Sequence, residues 1–317
     1  PDHVIRTSGS YLSLTRAEAA DPAACRRAVA AFVDRYQAYF DAHKSRSPVE
    51  PAILDGYPRV AVVEGLGVLA FGETYQAATI AGDIAEQTLR GKATAEAFGC
   101  FVSLPAAQLY DMEYWPLERA KLGQRAVATL QGQIALVTGG AGAIGYGVCQ
   151  SLCAAGAVVV VADLNQTAAQ GATDRLSEEY PEATLLAVAM DVTDPDSVQS
   201  GMDKVVLAFG GVDVVVPNAG IAHVSSLRDM GSEDFKRVID VNLFGTMTIL
   251  QAAAKLFEAQ DTRGSVVVQA SKNVFSPGAS FGAYSASKAG QHQLGKIAAL
   301  ELAPLGVRVN MVNADVV

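Results

Sequence analysis

The sequence predicts a protein of the α/β class, in which a doubly wound parallel sheet follows a smaller α/β segment. From residue 134 onward, short apolar runs alternate with helical patterns, which is typical of a parallel sheet with helices on both faces. The run at 157–162 is apolar throughout, as expected for a strand that is buried on both sides. A glycine-rich turn follows the first of these strands and opens a helix. We therefore place the sheet in residues 126–317 and the smaller segment in residues 1–125.

Length, charge and hydropathy narrow the class of protein. The 317 residues leave room for about two domains, and half of them are hydrophobic. The 24 basic and 33 acidic residues give a net charge of −9 without a basic cluster, which argues against a nucleic acid or an anionic membrane surface as partner. No apolar run is long enough to span a bilayer and no signal peptide opens the chain, so we expect a cytoplasmic protein. Because the chain begins at Pro1 and ends soon after a strand, we expect a fragment of something longer.

The chain has four cysteines, Cys25, Cys100, Cys149 and Cys153. Cys149 and Cys153 are four residues apart in a predicted helix, a spacing that is compatible with a metal or redox pair. No Cys-His cluster surrounds them in the sequence, which favours two small buried side chains in a reducing compartment.

The smaller segment is predicted from helix caps and two apolar strands. Asp21 and Pro22 supply an N-cap and a first helical position, and Thr74 is the expected cap of a second long helix. The predicted elements are a helix at 22–42, strands at 59–64 and 68–71, and a helix at 75–90.

This strand–turn–strand–helix unit resembles the closing segment of the class II aldolase/adducin fold. In that family the turn between the strands usually carries a zinc-binding histidine. Here the turn is Gly65-Leu66-Gly67, where neither Gly65 nor Leu66 can ligate zinc through its side chain, and the chain contains no His-x-His pair. The resemblance therefore implies the fold, while the residues predict a segment without metal ligands.

A dinucleotide-binding turn is predicted after the strand at 134–138. Gly140, Gly142 and Gly145 fit G-x-G-x-x-G, and the run 138–145 fits T-G-x-x-x-G-x-G except that Ala143 stands at the middle glycine. Glycine allows a tight turn and a close approach of a pyrophosphate to the N–H groups at a helix N-terminus. The predicted contacts in this turn are Gly139, Gly142, Ala143, Ile144 and Gly145.

The cofactor is predicted from Asp163, which ends the next strand about 20 residues after the glycines. A carboxylate there accepts hydrogen bonds from the adenosine ribose and repels a 2′-phosphate, and no arginine accompanies it, so the sequence predicts NAD rather than NADP. A helix cap for the helix from about residue 166 is compatible with the same residue. The further predicted cofactor contacts are Leu164, Asp191, Val192, Asn218, Ala219 and Gly220, together with Tyr284 and Lys288 later in the chain.

Tyr284 and Lys288 are four residues apart in a predicted helix and share one face of it. Held together, an ammonium lowers the pKa of a phenol and makes it a usable general base near neutrality. Ser271 ends the preceding strand and offers a hydroxyl that polarises a carbonyl or alcohol oxygen. Taken alone, the pair is compatible with a solvated helix face; the cofactor pattern upstream favours catalysis.

Residues 130–317 resemble a short-chain dehydrogenase/reductase. The markers, in chain order, are the turn at 138–145, Asp191, Asn218-Ala219-Gly220, Asn242, Ser271, Tyr284 and Lys288. The resemblance implies an NAD-dependent oxidoreductase with Tyr284 as acid/base and Ser271 as polarising hydroxyl. Lys288 then stabilises the phenolate and holds the ribose, and Asn242 positions a water between Lys288 and solvent. The departures are Ala143, Pro217 and Asn313-Ala314-Asp315.

Both halves together resemble the bifunctional rhamnulose-1-phosphate aldolase/short-chain dehydrogenases, through PDHVIRT, DMEYW, KNVFSPG and FGAYSASK. This resemblance implies a cytoplasmic homo-oligomer of rhamnose catabolism that acts on lactaldehyde or a related small molecule. Two other functions stay open, a non-catalytic NAD-binding module and a module that pairs the subunits of an aldolase. His223 and Phe275 are expected near the nicotinamide, either lining the pocket or packing beside it.

Overall fold

The computed structural model describes residues 3–47, 50–120 and 127–315. The chain divides into two compact units, Pro1–Val127 and Ala128–Val317. The predicted boundary between residues 125 and 126 falls in the segment 121–126, outside the described residues. In the described ranges, no helix combines the length and the apolar composition that crossing a membrane requires.

The first unit is a small sheet with helices around it. Its elements are α1 Val4–Thr7, β1 Leu12–Leu14, α2 Arg16–Ala20, α3 Pro22–His43, β2 Val60–Val63, β3 Gly67–Ala70, α4 Tyr75–Phe98, α5 Ala106–Glu113 and α6 Pro116–Ala120. The strand order is β1-β2-β3, with β1 parallel and β3 antiparallel to β2. The two predicted strands therefore form a hairpin, and β1 extends its sheet.

The predicted helix caps are present. The Asp21 side chain accepts a hydrogen bond from the Ala23 N–H at 2.9 Å, and Thr74 Oγ1 accepts one from the Ala77 N–H at 3.1 Å. Helix α4 continues past its predicted end near residue 90 to Phe98, because the run after Gly91 is rich in strong helix formers. Strand β1 was not predicted, since a three-residue alternation carries too little signal without its partner strand.

The turn where the aldolase family carries its histidine has a backbone that suits glycine. Gly65 and Gly67 have φ angles of +69° and +135°, and the Leu66 side chain is 64% exposed. Within the described ranges, no three side chains of His, Cys, Asp or Glu form a group that could hold a metal ion. The absence of metal from the protein itself stays a prediction, which metal analysis of the purified chain checks.

An aromatic cluster fills the space between α3 and α5. The rings of Tyr110 and Tyr114 stack with centroids 4.4 Å apart, and Phe40 lies 5.4 Å from Tyr114. Glu113 is only 2% exposed beside them and accepts a hydrogen bond at Oε1 from the Tyr36 hydroxyl at 3.1 Å. Burial raises the pKa of Glu113 to about 7, against the opposing effect of that hydrogen bond.

We expect this carboxyl to make the first unit less stable as the pH rises from about 4.5 to about 7. Folded Glu113 keeps its proton to a higher pH than the unfolded chain does, so losing that proton favours unfolding, by about 3 kcal/mol at most. Glu113→Gln removes the titration and keeps the shape. The one tryptophan of the chain, Trp115, lies in this unit, so its fluorescence in urea reports the unfolding of this unit.

The measurement compares wild type and Glu113→Gln at the two ends of that pH range. Wild type should lose more stability than the variant on going to the higher pH, whereas Glu64→Gln, at an exposed position, should follow wild type. An equal loss in wild type and Glu113→Gln would show that burial does not shift this carboxyl.

The second unit is a six-stranded parallel sheet with helices on both faces. Its elements are β4 Ile134–Thr138, α7 Ala143–Ala154, β5 Val158–Asp163, α8 Gln166–Glu179, β6 Leu185–Ala189, α9 Pro195–Phe209, β7 Val214–Val216, α10 Ser232–Ile239, α11 Gly245–Gln260, β8 Ser265–Gln269, α12 Gly282–Leu302 and β9 Arg308–Val312. The strand order is β6-β5-β4-β7-β8-β9, and each adjacent pair is parallel. The predicted doubly wound sheet of the Rossmann type is confirmed.

The strand order reverses between β4 and β7. From β4 the chain moves outward through β5 to β6, and from β7 it moves the other way through β8 to β9. In open parallel sheets, a crevice forms outside the carboxyl ends of the strands at such a reversal, and ligands bind there. The turns after β4 and β7 are the two glycine-containing stretches that the sequence singles out.

From Ser232 onward the sequence pattern predicts one helix through Asn242, and the structure interrupts that helix. It ends at Ile239, a π turn follows at Asp240–Phe244, and α11 begins at Gly245. A Cβ on Gly245 would lie 2.6 Å from Val192 Cγ2, so only glycine fits where this segment crosses the chain after β6. A single helix through Asn242 was therefore wrong, because the π turn depends on contacts that are distant in sequence.

The two close-spaced cysteines lie in the core on one face of the sheet. Cys149 is fully buried and Cys153 is 7% exposed, both on α7. Burial raises the pKa of Cys149 to about 12 and that of Cys153 to about 11, which keeps both thiols protonated at neutral pH. They act as small core side chains, the alternative that the sequence favoured.

Candidate active site

Three of the predicted catalytic side chains line one cavity of about 710 Å³. The cavity lies beyond the carboxyl ends of β7 and β8, next to the reversal of strand order between β4 and β7. Among its lining residues are six predicted site residues: Ile144, Asn218, Gly220, Ser271, Tyr284 and Lys288. Cofactor-binding and catalytic predictions thus meet in one place.

Lys288 is buried beneath the cavity and lies close to Tyr284. Its side chain is on α12, it is 4% exposed, and its Nζ donates a hydrogen bond to the Gln269 carbonyl at 2.8 Å. The same nitrogen lies 5.7 Å from the centroid of the Tyr284 ring. Burial lowers the pKa of Lys288 to about 8, so the amine is still mostly charged at neutral pH. It can therefore supply positive charge to the phenol.

Ser271 enters the cavity from the end of β8. It is 7% exposed, and its hydroxyl oxygen accepts a hydrogen bond from the Asn273 N–H at 3.2 Å. Because the Ser271 oxygen is the acceptor in this hydrogen bond, its hydroxyl proton remains available to donate. A substrate oxygen in the cavity can then accept a hydrogen bond from this side.

Asn242 lies behind the cavity wall and does not line it. It is fully buried in the π turn, and its Oδ1 accepts from the Ile221 N–H at 2.8 Å. Its Nδ2 donates to the Ile221 carbonyl and to Ser287 Oγ, each at 2.9 Å. A Cβ on Gly220 would lie 3.1 Å from Asn242 Oδ1 and 3.5 Å from Lys288 Nζ, so this glycine lets both groups approach the same point. Both amide hydrogens of Asn242 are used, which leaves only its oxygens for a water.

The turn after β4 forms a cradle that side chains would fill. Gly139 has a φ angle of +62°, and a Cβ on Gly145 would lie 2.2 Å from the Gly139 carbonyl oxygen. Gly142 is the residue that precedes α7, with no side chain to cap the helix N–H groups. These features fit the pyrophosphate of a dinucleotide at a helix N-terminus. Ala143, which stands at the middle glycine of the sequence pattern, is exposed, so there is room for its methyl group.

The turns after β4 and β7 are tied together. Thr138 Oγ1 accepts hydrogen bonds from the N–H groups of Asn218 at 3.0 Å and Ala219 at 3.1 Å. In return, Asn218 Nδ2 donates to the carbonyls of Thr138 at 2.9 Å and Gly139 at 3.1 Å. The Asn218-Ala219-Gly220 turn is therefore held against the glycine cradle.

Asp163 stands at the end of β5 and faces the cradle. Its two carboxylate oxygens accept hydrogen bonds from the N–H groups of Ala141 and Asn165, each at 3.2 Å. The cap of α8 is Asn165, which accepts from the Thr167 and Ala168 N–H groups. The alternative assignment of Asp163 as the cap is therefore wrong. Leu164 beside it is 71% exposed.

The remaining predicted cofactor residues lie after β6. Asp191 Oδ1 accepts hydrogen bonds from the N–H and the hydroxyl of Thr193 at 2.9 and 2.7 Å. Val192 is 7% exposed and packs on Gly245. Contact of this pair with an adenine stays a prediction.

His223 and Phe275 are absent from the described lining of the cavity. His223 Nε2 lies 3.7 Å from Asp234 Oδ2, and the Phe275 ring packs edge-on against His292 with centroids 5.2 Å apart. Of the two alternatives, the geometry favours packing. Sequence reasoning missed Ser287, Thr246 and Gln291, polar residues buried behind the cavity. Of these three, only Ser287 could have been noticed in the sequence, because it directly precedes Lys288.

Comparisons with known proteins match the two units separately. Residues 133–317 match the family model described as short chain dehydrogenase, and residues 1–122 match aldolase class II, second domain. The chain is 36% identical over 292 residues to the uncharacterized oxidoreductase YuxG of Bacillus subtilis, covering 91% of this chain and 42% of that protein. This chain thus spans less than half the length of YuxG.

The remaining similarities cover the second unit. The chain is 36% identical over 178 residues to L-2,3-butanediol dehydrogenase of Corynebacterium glutamicum, covering 56% of this chain and 69% of that protein. A short chain dehydrogenase from Mycobacterium smegmatis superposes with a TM-score of 0.58 at 32% identity, over 59% of this chain and 78% of that one. An NAD+-bound xylitol dehydrogenase superposes with a TM-score of 0.56 at 31% identity, over 58% of this chain and 70% of that one. Because the family model covers more than half of the residues and the parallel sheet agrees with these structures, the chain belongs to the short-chain dehydrogenase family.

Proposed function

We propose that the second unit transfers a hydride between NAD and a small alcohol or carbonyl compound, with lactaldehyde or a related intermediate of rhamnose catabolism as substrate. The observation that carries the proposal is the convergence of Tyr284, Lys288 and Ser271 on one cavity beside the glycine cradle. We further propose that the enzyme works as a cytoplasmic homo-oligomer, as its family resemblance implies.

The proton is handled by Tyr284. In the direction of oxidation its phenolate takes the proton of the substrate hydroxyl, and in reduction the phenol returns a proton to the carbonyl oxygen. Ser271 donates a hydrogen bond to the same oxygen, and the charge of Lys288 favours the phenolate. When bound, the nicotinamide supplies or accepts the hydride.

The glycine cradle supports a dinucleotide, and Asp163 supports NAD over NADP. Gly139, Gly142, Ala143, Ile144 and Gly145 would hold the pyrophosphate at the start of α7. The Asp163 carboxylate at the end of β5 would accept from the ribose hydroxyls and repel a 2′-phosphate. The neighbouring Leu164 is exposed and uncharged, so it offers a phosphate no positive charge.

Asp163→Ala is expected to narrow the preference for NADH over NADPH by about tenfold or more, because it removes the charge that repels the phosphate. Fluorescence titration of both cofactors measures the two affinities. Asp163→Asn separates charge from shape, since it keeps an oxygen acceptor for the Ala141 N–H. The exposed Asp203→Asn on α9 is the control. Equal affinities of wild type for NADH and NADPH would contradict this assignment.

The cavity supports a small hydroxylated substrate. Besides the catalytic side chains, polar or charged groups of Lys272, Asn273, Ser276 and Asp315 line it. Such a lining suits hydroxyl-bearing molecules, and butanediol and xylitol, which the names of the two similar enzymes specify, are of this kind. An aldolase joined to the dehydrogenase would release a short aldehyde that this site consumes.

An NAD-coupled absorbance screen tests the substrate. Its panel contains lactaldehyde, rhamnose-derived lactones, short diols such as 2,3-butanediol, and bulky steroids. We expect the small hydroxy compounds to give the highest kcat/KM. Far faster turnover of the steroids would reject the rhamnose assignment and leave the dehydrogenase assignment intact.

A further inference from the structure

Polar side chains are buried behind the cavity, where α12 packs against α11. Gln291 on α12 is fully buried, and Thr246 on α11 is 3% exposed. Neither belongs to the described lining of the cavity. A buried amide costs folding free energy unless it forms hydrogen bonds, so packing alone would favour an apolar residue at position 291. The polar pair calls for a reason beyond filling space.

The pair points toward the π turn. Gln291 Nε2 donates a hydrogen bond to Thr246 Oγ1, and the Thr246 hydroxyl donates to the Asn242 carbonyl at 2.7 Å. An amide nitrogen can only donate, so the threonine proton is directed onto that carbonyl. With the amide reversed, threonine would donate to Gln291 and the Asn242 carbonyl would lose this donor. The Gln291 amide therefore supports this direction of the chain of hydrogen bonds, and its Oε1 has no hydrogen-bond partner among the described residues.

Hydrogen bonds of Asn242 connect the π turn to α12. Its side chain donates to Ser287 Oγ at 2.9 Å, and the Ser287 hydroxyl donates to the Tyr284 carbonyl at 2.7 Å. Ser287 and Lys288 follow Tyr284 by three and four residues and precede Gln291 by four and three, so all of them share one face of the helix. The hydrogen bonds thus run from Gln291 through the π turn to the helix turn that carries Tyr284.

We propose that Gln291 and Thr246 are positioning residues for the acid/base group. They hold the π turn so that Asn242 stays bonded to Ile221 and Ser287. These bonds fix the start of α12, which carries Lys288, relative to Gly220. A π turn is a local departure from the α-helical ladder that is often found at functional sites, and here the Thr246 hydroxyl donates to its Asn242 carbonyl. This inference rests on the proposed function, because it concerns the reaction assigned to Tyr284.

Two near-isosteric variants test the inference in the full chain. Gln291→Met and Thr246→Val each remove one polar group, Thr246→Ser keeps the hydroxyl, and Gln293→Met changes an exposed glutamine on the same helix. With NADH and lactaldehyde, or NAD and 2,3-butanediol, the first two should each lower kcat about tenfold. KM for the cofactor should stay within about twofold, since Gln291 and Thr246 lie outside the cavity lining.

Three further readouts distinguish positioning from structural support. The kcat–pH profile should differ from that of wild type in both variants, because the group that exchanges a proton with the substrate is displaced. The double variant should be no slower than either single one, because both act through one chain of hydrogen bonds. Amide hydrogen exchange at 240–246 should speed up, while Thr246→Ser and Gln293→Met should match wild type in every assay.

A lower melting temperature with unchanged kcat and pH profile would overturn the proposal, as would additive losses in the double variant. If Gln291→Met does not fold, the Thr246→Val and Thr246→Ser pair decides the question. Hydrogen exchange needs no turnover. Full activity of Tyr284→Phe would reject the proposed reaction. If Gln291→Met and Thr246→Val still showed faster exchange at 240–246, the constraint on the π turn would stand.

Discussion

Tyr284→Phe is expected to lower kcat by about 10²–10⁴-fold, because it removes the group that exchanges a proton with the substrate oxygen. The phenylalanine ring keeps the place of the tyrosine ring at the start of α12, 6.1 Å from the ring of Phe281. The cradle after β4 and Asp163 are untouched, so the affinity for NADH should change little. Steady-state turnover and NADH fluorescence titration on the same preparations measure both quantities.

Tyr180→Phe is the matched control, since Tyr180 lies at the end of α8 and belongs to none of the predicted site residues. It should retain wild-type turnover. Unchanged turnover of Tyr284→Phe would reject the acid/base assignment. If wild type bound NADH and yet turned over none of the screened compounds, the alternative of a non-catalytic NAD-binding or subunit-pairing module would replace the enzyme assignment.

Lys288→Met should have opposite effects on activity and stability. Turnover should fall by about 10²-fold or more, because the phenolate of Tyr284 loses its stabilising charge. The melting temperature of the cofactor-free protein should rise, because an amine that is 4% exposed with one hydrogen bond to Gln269 is costly to bury. Methionine fills the same space without that cost.

The pKa of Lys288 gives the sign of the stability change. Burial lowers the pKa from 10.5 to about 8, so the folded state binds this proton more weakly than the unfolded chain. The destabilisation is therefore complete below about pH 8 and fades as the pH rises to about 10.5. At neutral pH it amounts to about 3 kcal/mol at most, less about 1 kcal/mol for the lost hydrogen bond to Gln269.

Thermal unfolding of wild type, Lys288→Met and Lys296→Met measures this effect. Lys296 is exposed on the same helix, so its replacement should change neither activity nor melting temperature. The gap between wild type and Lys288→Met should shrink from about pH 7 to about pH 10. A lower melting temperature of Lys288→Met at neutral pH would show that the amine contributes more as a hydrogen-bond donor than burial costs.

Much of the fold was predictable because its signals are local. The apolar run at 157–162 predicted a buried strand, and β5 forms there as Val158–Asp163. Asp21 and Thr74 predicted helix starts, because a cap acts on N–H groups two or three residues away. The glycines after β4 predicted a cradle, since their backbone freedom is a property of the residue itself.

The site was predictable where its residues keep a short, fixed spacing. Tyr284 and Lys288 lie on one face of α12 because they are four residues apart, and Ser271 lies two residues after the end of β8. Their convergence on one cavity with the glycine turn follows from a parallel sheet, which brings the carboxyl ends of its strands to one edge.

Only the tertiary structure decided the groups that are buried by distant partners. The π turn at Asp240–Phe244 depends on Val192 and on α12, and Gln291 meets Thr246 across 45 residues of chain. Strand β1 exists through its pairing with β2, and Glu113 keeps its proton because burial between distant segments outweighs the hydrogen bond that Tyr36 donates to it. Desolvation and long-range hydrogen bonds depend on which chain segments pack together, and no local pattern in the sequence carries that information.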